Sequence, residues 1–171
     1  MAEFSRLTPA EADRAARLQA SVKFSILLPG SLPFRYRLAS TKTVEHAGDL
    51  AIMAFRGPWG RSFRLTERIA TLPLRTELAG AGIPYRTILY RGRDFTVVGG
   101  EFVGEPVDVW HWHDTRYAVA WEQYGLICEI GVIRGHGPGL SRCLRIASSL
   151  RSVAQVRPTL RLSAKGVDVA R

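Results

Sequence analysis

The feature that most constrains this chain is the alternation of residue types between Val109 and Val132. Side chains in a strand point to opposite faces with period two, so any pairing register predicts which residues share a face. Taking Asp114-Thr115 as a two-residue turn sets His113 opposite Arg116 and Trp112 opposite Tyr117. Taking Glu122–Gly125 as a four-residue turn sets Trp121 opposite Leu126. Trp110, Trp112, Tyr117, Val119, Trp121, Leu126, Cys128, Ile130 and Val132 then fall on one face, and a slip of one residue would scatter them. A three-stranded meander with one heavily apolar side is expected.

An apolar sheet face needs cover. Residues 140–151 offer it, because Leu140, Cys143, Leu144, Ala147 and Leu150 recur at helical spacing. A first helix is expected over 8–20, with Thr8 as N-cap, Pro9 in the first turn and Glu11 completing a capping box. Pro29 and Pro33 keep the following segment extended. Strands are expected at 34–41, 49–56, 61–67, 86–91, 94–99, 106–113, 116–121 and 126–133. Gly57-Pro58, the glycines at 80 and 82, and the Gly135–Gly139 run supply turns between them. Residues 68–84 read as a long loop. The expected fold class is α+β: a curved antiparallel sheet with an N-terminal helix and a C-terminal helix packed on one face.

A length of 171 residues fits one domain, here taken as 1–152 followed by a basic tail over 153–171. The longest apolar run, Leu50–Phe55, falls far short of the ~20 residues that span a bilayer, so no membrane span is expected. Two cysteines are too few for a disulfide scaffold. If the sheet and the second helix pack as above, Cys128 and Cys143 come near each other, as buried thiols in a reducing compartment or as a disulfide in an oxidising one. The opening Met1-Ala-Glu-Phe-Ser-Arg has no charged-then-apolar leader, which as written implies the cytoplasm. An excised domain would permit an extracytoplasmic site.

Charge is the compositional outlier, at +9 with 24 basic and 15 acidic residues. All but Lys23, Lys42 and Lys165 of the basic residues are arginine, whose fork suits phosphate and carboxylate. The excess is uneven: 0 for residues 1–20, +2 for 21–50, +5 for 51–100, −4 for 101–140 and +6 for 141–171. Arg35, Arg37, Arg56, Arg61, Arg64, Arg91 and Arg93, with Trp59 on a turn between cations, could serve nucleic-acid binding. A compositional arginine excess is the simpler explanation.

His111 and His113 sit two apart in a strand and could chelate a metal. A functional site needs a third ligand, and Arg116 beside them opposes a cation, so two surface histidines is the simpler reading. The Gly-rich run before the second helix lacks a P-loop ending and a dinucleotide fingerprint. No order of Ser, His and Asp or of Cys and His suggests catalysis, and no cofactor is expected.

The segment Ser25-Ile-Leu-Leu-Pro-Gly-Ser-Leu-Pro after a helix resembles the opening of an uncharacterised bacterial domain. That domain is found C-terminally in anti-sigma factors and in stand-alone secreted lipoproteins. The resemblance continues through Leu50-Ala-Ile-Met-Ala-Phe-Arg, Ser62-Phe-Arg-Leu-Thr-Glu, Ala118-Val-Ala-Trp-Glu and Leu144-Arg-Ile-Ala-Ser-Ser-Leu, over about residues 10–152. Such domains look like distant relatives of lipoprotein-carrier half-barrels, whose curved sheet offers a hydrophobic concavity. The resemblance implies a sensing or binding module without catalysis. The expectation is therefore a non-enzymatic, sensor-like domain that binds an apolar small ligand or a protein partner. Its contact surface would be the second sheet face, with His111, His113, Ala118, Ala120, Ile127 and Ile133. The alternative is a nucleic-acid-binding module using the arginines and Trp59 named above together with the basic C-terminal tail.

Overall fold

A computed structural model of the chain describes residues 4–5, 7–33, 35–43, 49–102, 110–112, 116–133 and 135–153. For 4–5, 101–102 and 110–112 only the backbone is described. In chain order the elements are β1 (Phe4–Ser5), α1 (Pro9–Ala20), β2 (Leu27–Pro29), β3 (Leu32–Pro33), β4 (Arg37–Thr43), β5 (Leu50–Arg56) and β6 (Ser62–Ile69). They continue with α2 (Leu74–Gly80), β7 (Tyr85–Tyr90), β8 (Arg93–Val98), β9 (Gly100–Phe102), β10 (Trp110–Trp112), β11 (Arg116–Gln123), β12 (Leu126–Ile133), α3 (Leu140–Ser148) and β13 (Leu150–Ser152). Seven strands form one antiparallel sheet in the order β4-β5-β6-β12-β11-β8-β7. The fold is α+β, as the sequence implies.

α1 begins as expected: Thr8 accepts from the Glu11 N–H at 3.3 Å, and Glu11 accepts from the Thr8 N–H at 2.5 Å. The other Glu11 carboxylate oxygen accepts the N–H of Leu38 at 2.6 Å. Arg14 donates to the carbonyls of Leu38 (2.8 Å) and Ala39 (3.1 Å), so α1 caps the outer edge of β4 with side chains. Ala15 and Leu18 of α1 join Cys143, Leu144, Ile146 and Ala147 of α3 over one sheet face. On that face lie Phe55, Phe63, Leu65, Val119, Trp121, Cys128, Ile130 and Val132. The part of the apolar face read over Tyr117–Val132 is therefore the core, and both terminal helices cover it; the side chains of Trp110 and Trp112 lie outside the described residues.

Three details differ from expectation. The β11–β12 turn is two residues long, Tyr124-Gly125, so Trp121 pairs with Cys128 and Gln123 with Leu126. Both turn residues have positive φ (54° and 76°), the geometry that matches the twist of a tight hairpin. A shift of two preserves parity, which is why the face was right while the partner was wrong. Secondly, β10 pairs with β9, setting Trp110 opposite Phe102 and Trp112 opposite Gly100. The strand beside β11 is instead β8, with Val119 opposite Val97. The proposed turn Asp114-Thr115 and the His113 before it lie outside the described residues, as do 154–171 of the expected tail.

Thirdly, the expected loop at 68–84 contains α2. Its Leu74 and Leu78 pack on Val98, Ala118, Ala120 and Ile127, on the second face of the sheet. Glu122 accepts the Leu74 N–H at 2.6 Å, and Arg68 pairs with Glu77 of the helix. Cys128 and Cys143 are both buried free thiols. Burial pushes both up in pKa, Cys143 to about 11, which leaves them as unreactive small hydrophobes.

Candidate functional site

The second sheet face does not present the open surface expected of it. Ala118, Ala120 and Ile127 are buried beneath α2, because Leu74 and Leu78 occupy the space above these small side chains. Ile133 is 40% exposed at the end of β12. His111 lies opposite Glu101 in the β9–β10 ladder, and His113 lies outside the described residues. Among the described residues no three His, Cys, Asp or Glu side chains come together.

The arginines divide into two groups. Arg37 stands opposite Arg56, Arg56 opposite Ser62, and Arg64 opposite both Ala54 and Gly131. Ala118 opposite Gly131 places the starts of β6 and β11 at this same end of the sheet. Arg91 sits in the β7–β8 turn and Arg93 opens β8, at the other end and the opposite edge. Arg93 also donates to Gln123 at 2.6 Å, and Gln123 accepts from the Trp121 indole at 3.2 Å, so it supports the core. Arg64 faces the buried carboxyl of Glu129. Burial pushes Glu129 up to about 7, against the pull of Arg64 and Arg68. Arg64 is thus engaged with the interior layer.

Arg35 and Arg61 meet two residues that sequence reasoning missed, Tyr36 and Arg142, together with Trp59. With Pro33 and Pro58 they line a cleft of about 180 Å³. Three segments build it. Arg35 and Tyr36 lead into β4, and residues 57–61 form the β5–β6 turn. Arg142 rides the first turn of α3.

Each segment is positioned by a local device. The Tyr36 ring lies against the backbone of Gly57, where a Cβ would meet its Cε2 and Cζ at 2.7 Å. Tyr36 also packs on Phe63, with ring centroids 5.6 Å apart. Trp59 sits in a short 3-10 turn, Pro58–Gly60, at φ 55° and ψ 37°. Its ring is 84% exposed, with the Arg61 guanidinium 6.0 Å from the ring centroid. Arg35 too has positive φ, 65°. A non-glycine residue held there carries strain of about 1–3 kcal/mol, and such strain clusters at contact sites. Burial raises the Tyr36 phenol pKa, while Arg61 and Arg142 pull it down. Two guanidinium groups from distant elements therefore act on one hydroxyl.

The Gly135–Gly139 run serves this site as scaffold. His136 accepts the Ser62 N–H at 2.7 Å, tying the loop to the first residue of β6, next to Arg61. At Gly137 a Cβ would lie 2.3 Å from Val132 Cγ1 and 2.7 Å from the Ser62 carbonyl. Gly137→Ala is expected to lower stability by about 1–3 kcal/mol and to separate α3 from the β5–β6 turn. An unchanged thermal midpoint would show that the loop gives way freely.

Among the described residues no helix is long and apolar enough to cross a membrane. No family model, curated protein or solved structure matches this chain.

Proposed function

We propose that this chain is a non-enzymatic binding domain that contacts single-stranded nucleic acid through the arginine- and tryptophan-bearing end of its sheet. The observation that carries the reading is the exposed Trp59 ring on a strained turn, beside a cleft lined by arginines from three separate segments. Proteins that hold single strands combine a cationic groove for the backbone with aromatic rings on which bases stack. The exposed, directly opposed Arg37 and Arg56 add like charge that a polyanion would relieve. An apolar ligand or partner on the second sheet face ranks below this reading, since α2 covers Ala118, Ala120 and Ile127. Kinship with the bacterial sensor-like domain that its short motifs resemble would also favour binding over catalysis.

The test is fluorescence anisotropy with a short labelled oligonucleotide, repeated across a salt series. Affinity is expected to fall linearly in log–log form, with slope about −0.7 for each phosphate neutralised. Trp59→Ala is expected to weaken binding by about fivefold to a hundredfold, the value of one stacked base. Arg91→Ala, at the far corner of the sheet, is expected to change it less than twofold, a bound of about 0.4 kcal/mol. No binding at low salt overturns the proposal, and equal losses from Trp59→Ala and Arg91→Ala remove the assigned surface.

A further inference from the structure

The cleft beside Trp59 is small, and its charge suits a chain end. Sites that enclose a whole small molecule measure about 300–1,000 Å³, and this cleft is about 180 Å³. It has room for one terminal group. Its uncharged lining includes Pro33, Pro58 and the Tyr36 ring, which is seated on Gly57. Its charged lining is Arg35, Arg61 and Arg142.

Three guanidinium groups overmatch an internal phosphodiester, which carries one charge and two free oxygens. A terminal phosphomonoester carries about −1.5 to −2 charges near neutral pH and three acceptor oxygens. Arginine forks bind such oxygens in bidentate fashion. Arg61 and Arg142, from the β5–β6 turn and from α3, line the cleft together with Tyr36, whose phenol pKa both pull down. Trp59 stands at the rim, exposed, where the first base attached to that phosphate could stack.

We infer that this cleft holds the terminal phosphate of a nucleic-acid strand, with Arg35, Arg61 and Arg142 on the phosphate and Trp59 on the adjoining base. The inference rests on the reading of this end as a nucleic-acid contact and narrows it to strand ends.

The experiment compares one oligonucleotide sequence carrying a phosphate at its 5′ end, at its 3′ end, or at neither, at fixed salt. One phosphorylated form is expected to bind about tenfold tighter than the unphosphorylated form. Arg142→Ala is expected to abolish that ratio. Adenosine monophosphate is expected to displace the preferred oligonucleotide, and adenosine is not. Equal affinity for all three oligonucleotides overturns the inference and leaves the nucleic-acid reading standing. Absence of binding by any of them removes both. A phosphotyrosine peptide that outcompetes the phosphorylated oligonucleotide would assign the same cleft to a phosphoprotein and overturn the strand-end assignment. Retention of the ratio in Arg142→Ala, with the variant folded by circular dichroism, also overturns it.

Discussion

Replacing Glu67 by glutamine is expected to raise the melting temperature at pH 8 by on the order of 10 °C while changing it little at pH 5. Glu67 lies on the core face of β6, fully buried, directly opposite Cys128. One carboxyl oxygen accepts the Leu27 N–H at 2.9 Å, and the other has no hydrogen-bond partner among the described residues. Burial pushes its pKa from 4.5 up to about 8, with the Leu27 hydrogen bond pulling weakly the other way. The folded state thus holds a proton that the unfolded chain releases near pH 4.5. Stability from this group is complete below that pH and is lost as pH rises to about 8. At about 1.4 kcal/mol for each pH unit, the loss amounts to roughly 5 kcal/mol, a large share of an ordinary domain's stability. Glutamine keeps the acceptor for Leu27 and removes the ionisation. Glu129, raised to about 7, adds a dependence of the same sign over a narrower pH range, so the variant retains part of the dependence. Thermal melts between pH 5 and 8 decide the matter. A wild-type midpoint that climbs with pH, or a Glu67→Gln slope equal to wild type, would refute the assignment.

Trp121→Ala is expected to remove about 3–5 kcal/mol, the range for deleting a large aromatic from a core. Trp121 is 1% exposed and meets Phe95 edge-on, with centroids 5.6 Å apart and planes at 61°. Phe95 in turn meets Tyr90 at 6.4 Å, so three rings from β7, β8 and β11 form one chain. The indole N–H also donates to Gln123, whose oxygen holds Arg93. Losing the indole empties the junction of these strands and slackens the far corner of the sheet together. Trp121→Phe, which keeps one aromatic ring while dropping the N–H donor and part of the buried ring volume, is expected to lose less than the alanine variant. Urea unfolding followed by far-ultraviolet circular dichroism measures both. A loss below about 1 kcal/mol for the alanine variant would show that the site collapses without penalty.

The sequence carried the faces of the sheet but not its neighbours. Parity is a local property, so Val119, Trp121, Cys128 and Ile130 declared a common side whatever the turn length. Which strand lies beside β11 depends on non-local closure, and nothing in residues 110–112 distinguishes pairing with β9 from pairing with β11. α2 escaped notice because it buries only Leu74 and Leu78, one i,i+4 pair bracketed by Pro73 and Gly80. A single turn's worth of apolar signal does not stand out from loop.

The cleft was half legible. Arg35, Trp59 and Arg61 were visible as cations around an aromatic turn. Arg142 lies 81 residues beyond Arg61 in the chain, and its first-turn position on α3 gave only the information that it sat off the apolar stripe. Tyr36 had a usable signal in retrospect, an aromatic between Arg35 and Arg37. Glu67 had a stronger one: it extends the core-parity series Phe63, Leu65, an acid where the alternation calls for an apolar residue.

The contact of α1 with β4 has a consequence for self-association. An edge strand exposes unpaired amides and carbonyls that can template another chain. At Leu38 and Ala39 those groups are already taken by Glu11 and Arg14, which act as a surrogate strand made of side chains. The first helix therefore serves as a stopper for sheet growth as well as a lid on the core. Its loss would expose a backbone template along β4 at the same time as it uncovered the core beneath Ala15 and Leu18.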